Sequence, residues 1–387
     1  MAVRGVPFYR MKFTKSELSA VEKVLKSGWL TSGRVAREFE QKVADYVGSK
    51  YAVAVNSCTA GLHLALKALA VGKGDEVITT PFTFAASIEA ILHAGAKPVF
   101  IDIEPDTLNL DASQLEAKLN SKTRAIMPVH IAGLPCDMSA IKRIAKKHDL
   151  RIVHDAAHAL GASYGKKKIG AIPDISCFSF YATKNLTTGE GGMVTTDNRE
   201  AAEKIRVLSL HGMDKKAWRR YLDCGSWYYE VVELGYKYNL ADINAALGLA
   251  MMKRFEKLQK KRSEVAECYS RAISEIEGIK LPAMKKGRTH AWHLYIIQLM
   301  PNRLSIDRDH FIQELTARNI GTSVHFIPLF KHPYYKGKYG LRAECFPNSE
   351  QAYKQVISLP FYPDLAKPEI TYVVRALGDI VKRHKKL

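Results

Sequence analysis

Lys184 lies among small and hydroxyl-bearing residues, which sets it apart from the lysines that fit a solvated surface. It belongs to the stretch SFYATKNLTTGEGG, residues 179–192. Asp155 closes the apolar run RIVHD, 29 positions earlier in the chain (184 minus 155). If both segments are strands that point the same way, an amine and a carboxylate meet at one edge of a sheet. Pyridoxal phosphate requires this pair: a lysine forms an imine with its aldehyde, and a carboxylate keeps its pyridine nitrogen protonated.

The neighbours of Lys184 suit a lysine that must lose its proton. A surface lysine stays protonated, with a pKa of about 10.4, whereas an imine-forming lysine must be deprotonated and free to move between cofactor and substrate. Gly189, Gly191 and Gly192 would let the loop approach a cofactor ring. The alternative is a hairpin-like turn with an exposed lysine, and the neighbouring residues favour the catalytic interpretation.

A phosphate group needs a third site, and the segment NSCTAGLHLAL offers one. It places Ser57, Cys58, Thr59 and Ala60 between a predicted strand and a predicted helix. Hydroxyl groups and free backbone N–H groups at a helix N-terminus bind anions. Ser179 would add a hydroxyl from the strand that leads to Lys184. Each feature alone also fits a structural role, such as an ordinary helix N-cap.

From residue 50 to 200 the chain alternates short apolar runs with amphipathic stretches. The apolar, β-branched runs predict strands at 51–55, 75–80, 97–102, 123–129, 151–155, 175–180 and 191–196. Helical patterns such as TAGLHLALKAL and MSAIKRIAKKHD lie between most of them. This order predicts β-α-β units and a parallel or mixed sheet, whose ligands bind beyond the carboxyl ends of the strands.

The last third of the chain has a different order of predicted helices and strands. Apolar residues recur at helical spacing through residues 240–276. After them, 291–300 predicts a strand, 305–321 a helix and 322–329 a strand. We therefore expect a smaller α+β domain after the central sheet.

Composition narrows the class of protein. The six cysteines form no C-x-x-C pair and no cluster at zinc spacing, so we predict reduced thiols, no metal site and a cytoplasmic location. No apolar run is long enough to span a bilayer.

The net charge is +19, from 58 Lys+Arg against 39 Asp+Glu, and it would attract phosphorylated substrates. A solvated surface accounts for most of these lysines.

In this order, the motifs resemble the DegT/DnrJ-type family of nucleotide-sugar aminotransferases. The resemblance runs through nearly the whole chain and is carried by GKGDEVITTPFTFAAS, DAAHALGASYGKKKIG, SFYATKNLTTGEGGMVTT and LGYKYNLADINAALGLA. It implies pyridoxal phosphate and the α/β fold type I of PLP-dependent transferases. The expected large domain, residues 1–255, has a mixed, mostly parallel sheet sandwiched by helices; residues 256–387 form a small α+β domain.

The resemblance also assigns roles to individual residues. Lys184 is similar to the imine-forming lysine and Asp155 to the partner of the pyridine nitrogen. His158, one helical turn after Asp155, matches a residue near the ring or its O3′ oxygen, with helix packing as the alternative. Phe84 is similar to an aromatic residue that stacks on the ring, with a core position as the alternative. These assignments make Lys184, Asp155 and His158 the candidate catalytic residues.

Phosphate contacts follow from the same resemblance. Thr59, Ala60 and Ser179 match phosphate-binding positions. Asn239, in GYKYNL, matches a residue that reaches the phosphate from the neighbouring subunit. The implied enzyme is therefore a homodimer whose active sites are shared between subunits.

The family's usual donor is L-glutamate, which becomes 2-oxoglutarate, and its usual acceptor is a keto sugar attached to a nucleotide. Within the family the chain is most similar to enzymes that aminate C4 of UDP-linked sugars, especially the UDP-4-amino-4-deoxy-L-arabinose aminotransferases. His325, in TSVHF, matches a substrate-side histidine there. Two features depart from that group: its stacking tryptophan is Phe84 here, and the segment 213–230, with the basic stretch MDKKAWRRYL, differs.

Three other functions stay open at this point. A sugar dehydratase of the same fold has a histidine in place of the imine-forming lysine, and Lys184 argues against it. A regulatory or nucleic-acid-binding protein would fit the charge, but the basic residues are dispersed and no nucleic-acid-binding motif is found. An aminotransferase acting on a C3 ketone or a carbocyclic ketone is hard to separate by sequence.

Overall fold

The computed structural model describes residues 5–214 and 228–386 of the 387-residue chain. Most of the basic stretch 213–222 and of the 213–230 segment lies outside these residues. The helices are α1 (Lys15–Ser27), α2 (Arg34–Val47), α3 (Cys58–Ala68), α4 (Ala85–His93), α5 (Met138–Lys147), α6 (Arg199–Ser209), α7 (Asp242–Met252), α8 (Phe255–Ile273), α9 (Arg308–Thr316), α10 (Pro333–Tyr339), α11 (Pro347–Gln355) and α12 (Lys367–Arg383). The strands are β1 (Tyr51–Val55), β2 (Glu76–Thr79), β3 (Lys97–Phe100), β4 (Thr123–Ile126), β5 (Arg151–Asp155), β6 (Ser163–Tyr164), β7 (Lys167–Lys168), β8 (Ile175–Ser179), β9 (Gly192–Thr196), β10 (Ile279–Lys280), β11 (Arg288–Thr289), β12 (Ile296–Leu299) and β13 (Val356–Ser358).

The central sheet contains the seven strands predicted from the sequence, in the order β1-β9-β8-β5-β4-β2-β3. The pairs from β8 through β5, β4 and β2 to β3 are parallel, and β9 runs antiparallel to both β1 and β8. The six parallel strands therefore end at one edge of the sheet. The predicted mixed, mostly parallel sheet is confirmed.

Helices cover both faces of this sheet, because alternate residues of each strand point to opposite sides. Ala54 and Ile152 pack into a core with helices α2, α5 and α8, whereas Val53 and Val153 pack into a second core with α3, α4 and α6. Helices between successive strands thus give the three-layer arrangement that β-α-β units produce.

Gly192 is required where β9 passes the start of α3. A Cβ atom at this position would lie 2.6 Å from the carbonyl carbon of Ser57 and 2.7 Å from the backbone nitrogen of Cys58. Such contacts are too short for any side chain. The glycine therefore allows the strand after the Lys184 loop to touch the N-terminus of α3.

The helical segment predicted at 240–276 is divided into α7 and α8. Arg254 leaves helical geometry (φ −118°, ψ 9°) between them. Its guanidinium donates to the carboxylate of Glu17 at 2.5 Å and to the carbonyl of Lys12 at 2.9 Å. Because Glu17 is buried, this ion pair fixes the Arg254 side chain at the point where the two helices meet.

In the C-terminal part, the sheet β10-β12-β13 packs with α8, α9 and α12 around its own core. The prediction of a strand at 322–329 is wrong. Only Ser323 forms a bridge there, to Ser358. The chain then leaves the sheet so that Val324 and Phe326 line a cavity, and Pro328 has no N–H group for a ladder.

The division into domains 1–255 and 256–387 stays a prediction. Val6, near the N-terminus, packs into the C-terminal core, while Leu329 and Phe330 pack against the core beneath α3 and α4. The small sheet β11-β6-β7 also connects Arg288–Thr289 to Ser163–Tyr164. In the part of the chain that the structure describes, every helix is too short or too polar to cross a bilayer.

Candidate active site

A cavity of about 590 Å³ lies at the carboxyl ends of β1, β5 and β8. Most of the residues predicted for the site line it. These are Ser57, Cys58, Thr59, Phe84, Asp155, His158, Ser179, Lys184 and His325. Two predicted residues, Ala60 and Asn239, do not.

Lys184 lies in the β8–β9 loop, where its backbone N–H donates to the carbonyl of Tyr181 at 3.0 Å. Its side chain is half-buried, and Nζ is 3.5 Å from Nε2 of His293. Burial of the amine lowers the pKa of Lys184 to about 8, although the nearby Cys58 and Asp155 oppose that shift. A neutral, nucleophilic amine is therefore accessible near neutral pH.

Asp155 ends β5 and is buried. Its Oδ2 accepts a hydrogen bond of 2.6 Å from Ser87 Oγ, and its Oδ1 accepts one of 3.1 Å from the N–H of Ala157. Burial raises the pKa of Asp155, whereas the two hydrogen bonds and Lys184 favour the ionised form. The carboxylate is thus fixed in orientation at the cavity wall.

His158 lies in a turn, so the prediction that placed it one helical turn after Asp155 is wrong in its local geometry. The reason is local: Asp155 Oδ1 accepts the Ala157 N–H and stabilises the turn. His158 Nδ1 accepts the N–H of Ala132 at 3.3 Å. Burial, with a smaller effect of Lys184, lowers the pKa of His158 well below its usual value. A neutral His158 therefore carries its proton on Nε2.

The N-terminus of α3 opens onto the cavity and has backbone N–H groups that could hold an anion. Ser57 Oγ accepts the N–H of Ala60 at 3.1 Å, which makes Ser57 the helix N-cap and occupies the Ala60 donor. The N–H groups of Cys58 and Thr59 come earlier in the first turn and have no acceptor within the helix. The Cys58 side chain faces away, since its Sγ donates to the carbonyl of Cys177 at 3.4 Å. Cys58 can thus contribute only its backbone.

Aromatic residues line the outer part of the cavity. Phe84 is 64% exposed, with its ring 6.2 Å from that of Phe326. The ring of Phe326 stacks on His158 at 5.8 Å. His325 Nδ1 is 2.8 Å from Ser358 Oγ, and burial lowers the pKa of His325 to about 4. A neutral His325 and an exposed aromatic ring therefore face the opening.

Asn239 lies away from the cavity lining of its own chain. Its Nδ2 donates to Ser32 Oγ at 2.6 Å, and its backbone bridges Val55 at the end of β1. Its Oδ1 is buried and has no partner among the described residues. In a single chain, the hydrogen-bonding capacity of the Asn239 Oδ1 atom is therefore unused.

The sequence interpretation missed two residues that contact the predicted ones. Ser87 holds Asp155, and it follows Phe84 in the motif PFTFAAS. His293 lies beside Lys184, and its ring contacts that of His158 in a tilted arrangement with ring centres 4.3 Å apart. His293 stands in the mostly apolar segment 291–300, which was predicted only as a strand.

Pyridoxal phosphate fits the chemistry of these groups. It needs a reactive amine, an anionic partner for its ring nitrogen and donors for its phosphate. Lys184, Asp155 and the first turn of α3 are the groups that could supply these at one edge of the sheet, and Gly192 lets β9 approach the start of α3 closely. Together with the sheet, they define a pyridoxal-phosphate-dependent transaminase of fold type I.

The chain belongs to the DegT/DnrJ/EryC1/StrS aminotransferase family, whose profile matches residues 12–378. It is 49% identical over 378 residues to the spore coat polysaccharide biosynthesis protein SpsC of Bacillus subtilis, covering 97% of each chain. The family match confirms the predicted resemblance.

Solved structures agree with this assignment. The PMP form of Spr1654 from Streptococcus pneumoniae, described as a sugar aminotransferase, is 33% identical with a TM-score of 0.92 and coverage of 98% of this chain and 100% of that one. Helicobacter pylori PseC, an aminotransferase involved in the biosynthesis of pseudoaminic acid, is 29% identical with a TM-score of 0.88 and covers 98% and 100%. The predicted fold type I, transaminase activity and pyridoxal phosphate cofactor are confirmed.

Proposed function

We propose that the enzyme transfers the amino group of L-glutamate to a nucleotide-linked keto sugar, at C4 of a UDP-4-keto sugar, for polysaccharide biosynthesis. One observation carries the proposal: Lys184, Asp155 and the N-terminus of α3 line a single cavity. The similarity to a polysaccharide biosynthesis protein supports the pathway class. The net charge of +19 supports an acceptor that carries a diphosphate.

In this proposal Lys184 moves the proton. Its Nζ accepts the proton from the α-carbon of the donor and, in the second half-reaction, delivers a proton to the sugar carbon that receives the amino group. Asp155 holds the positive charge of the cofactor's pyridine nitrogen, and the Cys58 and Thr59 N–H groups bind its phosphate. Pyridoxal phosphate supplies the electron sink and carries the amino group between the two substrates.

Absorbance spectroscopy tests the first half-reaction. We expect the protein with pyridoxal phosphate to show a visible band that L-glutamate bleaches, and Lys184→Ala to show neither the band nor the bleaching. Lys26→Ala, on an exposed position of α1, is the matched control and should behave as the wild type. A wild-type protein that stays colourless or ignores glutamate would overturn the transaminase proposal for this donor.

The acceptor is tested by return of the visible band. UDP-linked 4-keto sugars should restore the band in the glutamate-bleached enzyme. Recovery with dTDP-linked sugars, a C3-keto sugar or a carbocyclic ketone, and not with the UDP-linked 4-keto sugars, would replace the proposed acceptor. The first half-reaction would stand in either case.

We also propose a homodimer in which Asn239 completes the site of the other subunit. The Oδ1 of Asn239 has no hydrogen-bond partner among the described residues. Apolar side chains just before it are exposed to solvent, with Leu234 87% and Val231 62% exposed. Mixing inactive Lys184→Ala with Asn239→Ala should restore activity, because a mixed dimer contains one site with both residues intact. A monomer in sedimentation, or no recovery on mixing, would refute the shared site.

A further inference from the structure

The turn that presents His293 is held in a strained conformation. Trp292 has a φ of +49°, in the left-handed region that non-glycine residues rarely adopt. Its N–H donates to Nδ1 of His290 at 2.8 Å, and the two rings stack with centres 3.9 Å apart. The fully buried Arg262 donates to the Trp292 carbonyl at 3.2 Å. Strain that surrounding contacts enforce in this way is typical of functional positions.

The amide of Asn185 fixes which nitrogen of His293 carries the proton. Asn185 Nδ2 donates to the carbonyl of Ala291 at 2.7 Å and to Gln259 Oε1 at 3.0 Å. Because a carbonyl can only accept, the amide nitrogen must face Ala291, and Oδ1 must face His293 Nδ1 at 3.2 Å. Gln259 Nε2 donates to the same carbonyl at 3.1 Å, which fixes its orientation too.

A neutral His293 therefore carries its proton on Nδ1 and directs the lone pair of Nε2 toward Lys184 Nζ, 3.5 Å away. His158 has the opposite tautomer, since its Nδ1 accepts the Ala132 N–H. Its Nε2–H is a donor and cannot accept a hydrogen bond from an amine. Of these two neighbouring imidazoles, only His293 is an acceptor for Lys184.

We propose that His293 is a positioning residue that accepts a hydrogen bond from the free amine of Lys184 through a tautomer set by Asn185. The role rests on the proposed function, in which Lys184 Nζ takes a proton from the donor. The resulting ammonium has three donors at a half-buried position and needs acceptors there. His293 provides one while keeping its own proton on Nδ1, so no proton passes to the imidazole.

The tautomer can be measured directly. Long-range ¹H–¹⁵N NMR of the holoenzyme with labelled histidine distinguishes Nδ1–H from Nε2–H rings, and the His293 signal is identified by its loss in His293→Gln. We expect the Nδ1–H form in the wild type and a shift toward the Nε2–H form or a mixture in Asn185→Leu. A wild-type ring protonated on Nε2 would overturn the proposal.

A kinetic measurement tests the consequence. In a single turnover with L-glutamate, His293→Leu should bleach the visible band more slowly, by less than the roughly 10²- to 10⁴-fold loss that follows removal of a general base itself. We expect a larger isotope effect for α-deuterated glutamate and little change in the glutamate concentration that gives half the maximal rate. His293→Gln, whose amide oxygen can accept from Lys184, should recover much of the rate. Equal rates in His293→Leu and the wild type would refute the positioning role. A wild type that glutamate does not bleach would refute only the proposed function, because the NMR result does not depend on the donor.

Discussion

The hydroxyl of Ser87 donates to the Oδ2 of Asp155 at 2.6 Å, linking the first turn of α4 to the end of β5. Ser87 Oγ also lies 2.8 Å from Thr83 Oγ1. Burial alone would favour a protonated Asp155, and the hydrogen bond from Ser87 opposes this effect. In the proposed function, the ionised carboxylate that pairs with the cofactor's pyridine nitrogen therefore depends on Ser87, which lies outside the predicted site.

Replacing Ser87 with Ala should therefore impair the enzyme at low pH. Without the hydroxyl donor the pKa of Asp155 rises further, so the carboxylate becomes protonated at a higher pH than in the wild type. The acidic limb of the pH profile for glutamate bleaching should move to higher pH, with the rate recovering above it. Ser87→Thr retains the hydroxyl and should keep the wild-type profile; an unmoved limb in Ser87→Ala would contradict this account.

Asp155→Asn should retain the shape of the site and lose its charge. Because the ring nitrogen then lacks an anionic partner, we expect the glutamate half-reaction to slow by about 10²- to 10³-fold, the size of effect seen when one electrostatic contact is lost from a catalytic site. Stopped-flow absorbance measures the rate. Asp45→Asn, at an exposed position on α2, is the control. A loss below tenfold in Asp155→Asn would argue against its assigned role.

Gly192→Ala tests the contact between β9 and α3. The added Cβ would meet the backbone of Ser57 and Cys58, so we expect a destabilisation of about 1–3 kcal/mol, the usual cost of overpacking, and weaker binding of pyridoxal phosphate. Thermal unfolding and a cofactor titration measure the two effects. Gly337→Ala, exposed on α10 with no atom within 4 Å of its new Cβ, should be neutral or slightly stabilising. Equal behaviour of the two variants would exclude the steric argument.

His63→Phe should stabilise the fold and weaken its pH dependence. His63 is buried against Tyr236, with ring centres 4.8 Å apart, and neither ring nitrogen has a partner among the described residues. Removing such unpaired polar atoms should gain about 1 kcal/mol at pH 7.

The sign of the pH effect follows from the pKa of His63, which burial lowers from 6.5 to about 4. Between these pH values the unfolded chain binds a proton that the folded chain does not, so the free energy of unfolding falls as the solution is acidified through this window. Urea unfolding at pH 7 and pH 5 should show a smaller fall in His63→Phe. A wild-type fall in His63→Phe would disprove the assignment.

Sequence patterns correctly predicted the central sheet, because the local apolar pattern of its strands matches their burial in the folded chain. The seven central strands were predicted because each is a buried apolar run, most of them next to amphipathic helices. Asp155 ends β5, and Lys184 lies in the loop that follows β8. The 322–329 segment is also rich in apolar residues, yet Val324, His325 and Phe326 line the cavity and are not part of a strand. Periodicity cannot distinguish burial in a sheet from burial against a site.

His293 and Ser87 escaped prediction for a different reason. Their roles come from contacts between segments far apart in sequence, such as His293 with Lys184 at a separation of 109 residues. Neither residue stands at a strand end or a helix cap where the sequence alone suggests a ligand. Such pairs become visible only when the tertiary packing brings their elements together.

The place of β1 in the sheet bears on the order in which the protein acquires its structure. Among the described strands β1 pairs only with β9, and Val55 meets Gly192, 137 residues later (192 minus 55). Long-range pairings of this kind form slowly, because a large loop must close first. The first turn of α3 can therefore come next to the Lys184 loop only after most of the residues that form the central sheet have been synthesised and have become compact. We expect cofactor colour to develop late in refolding, after most of the helical circular dichroism has returned.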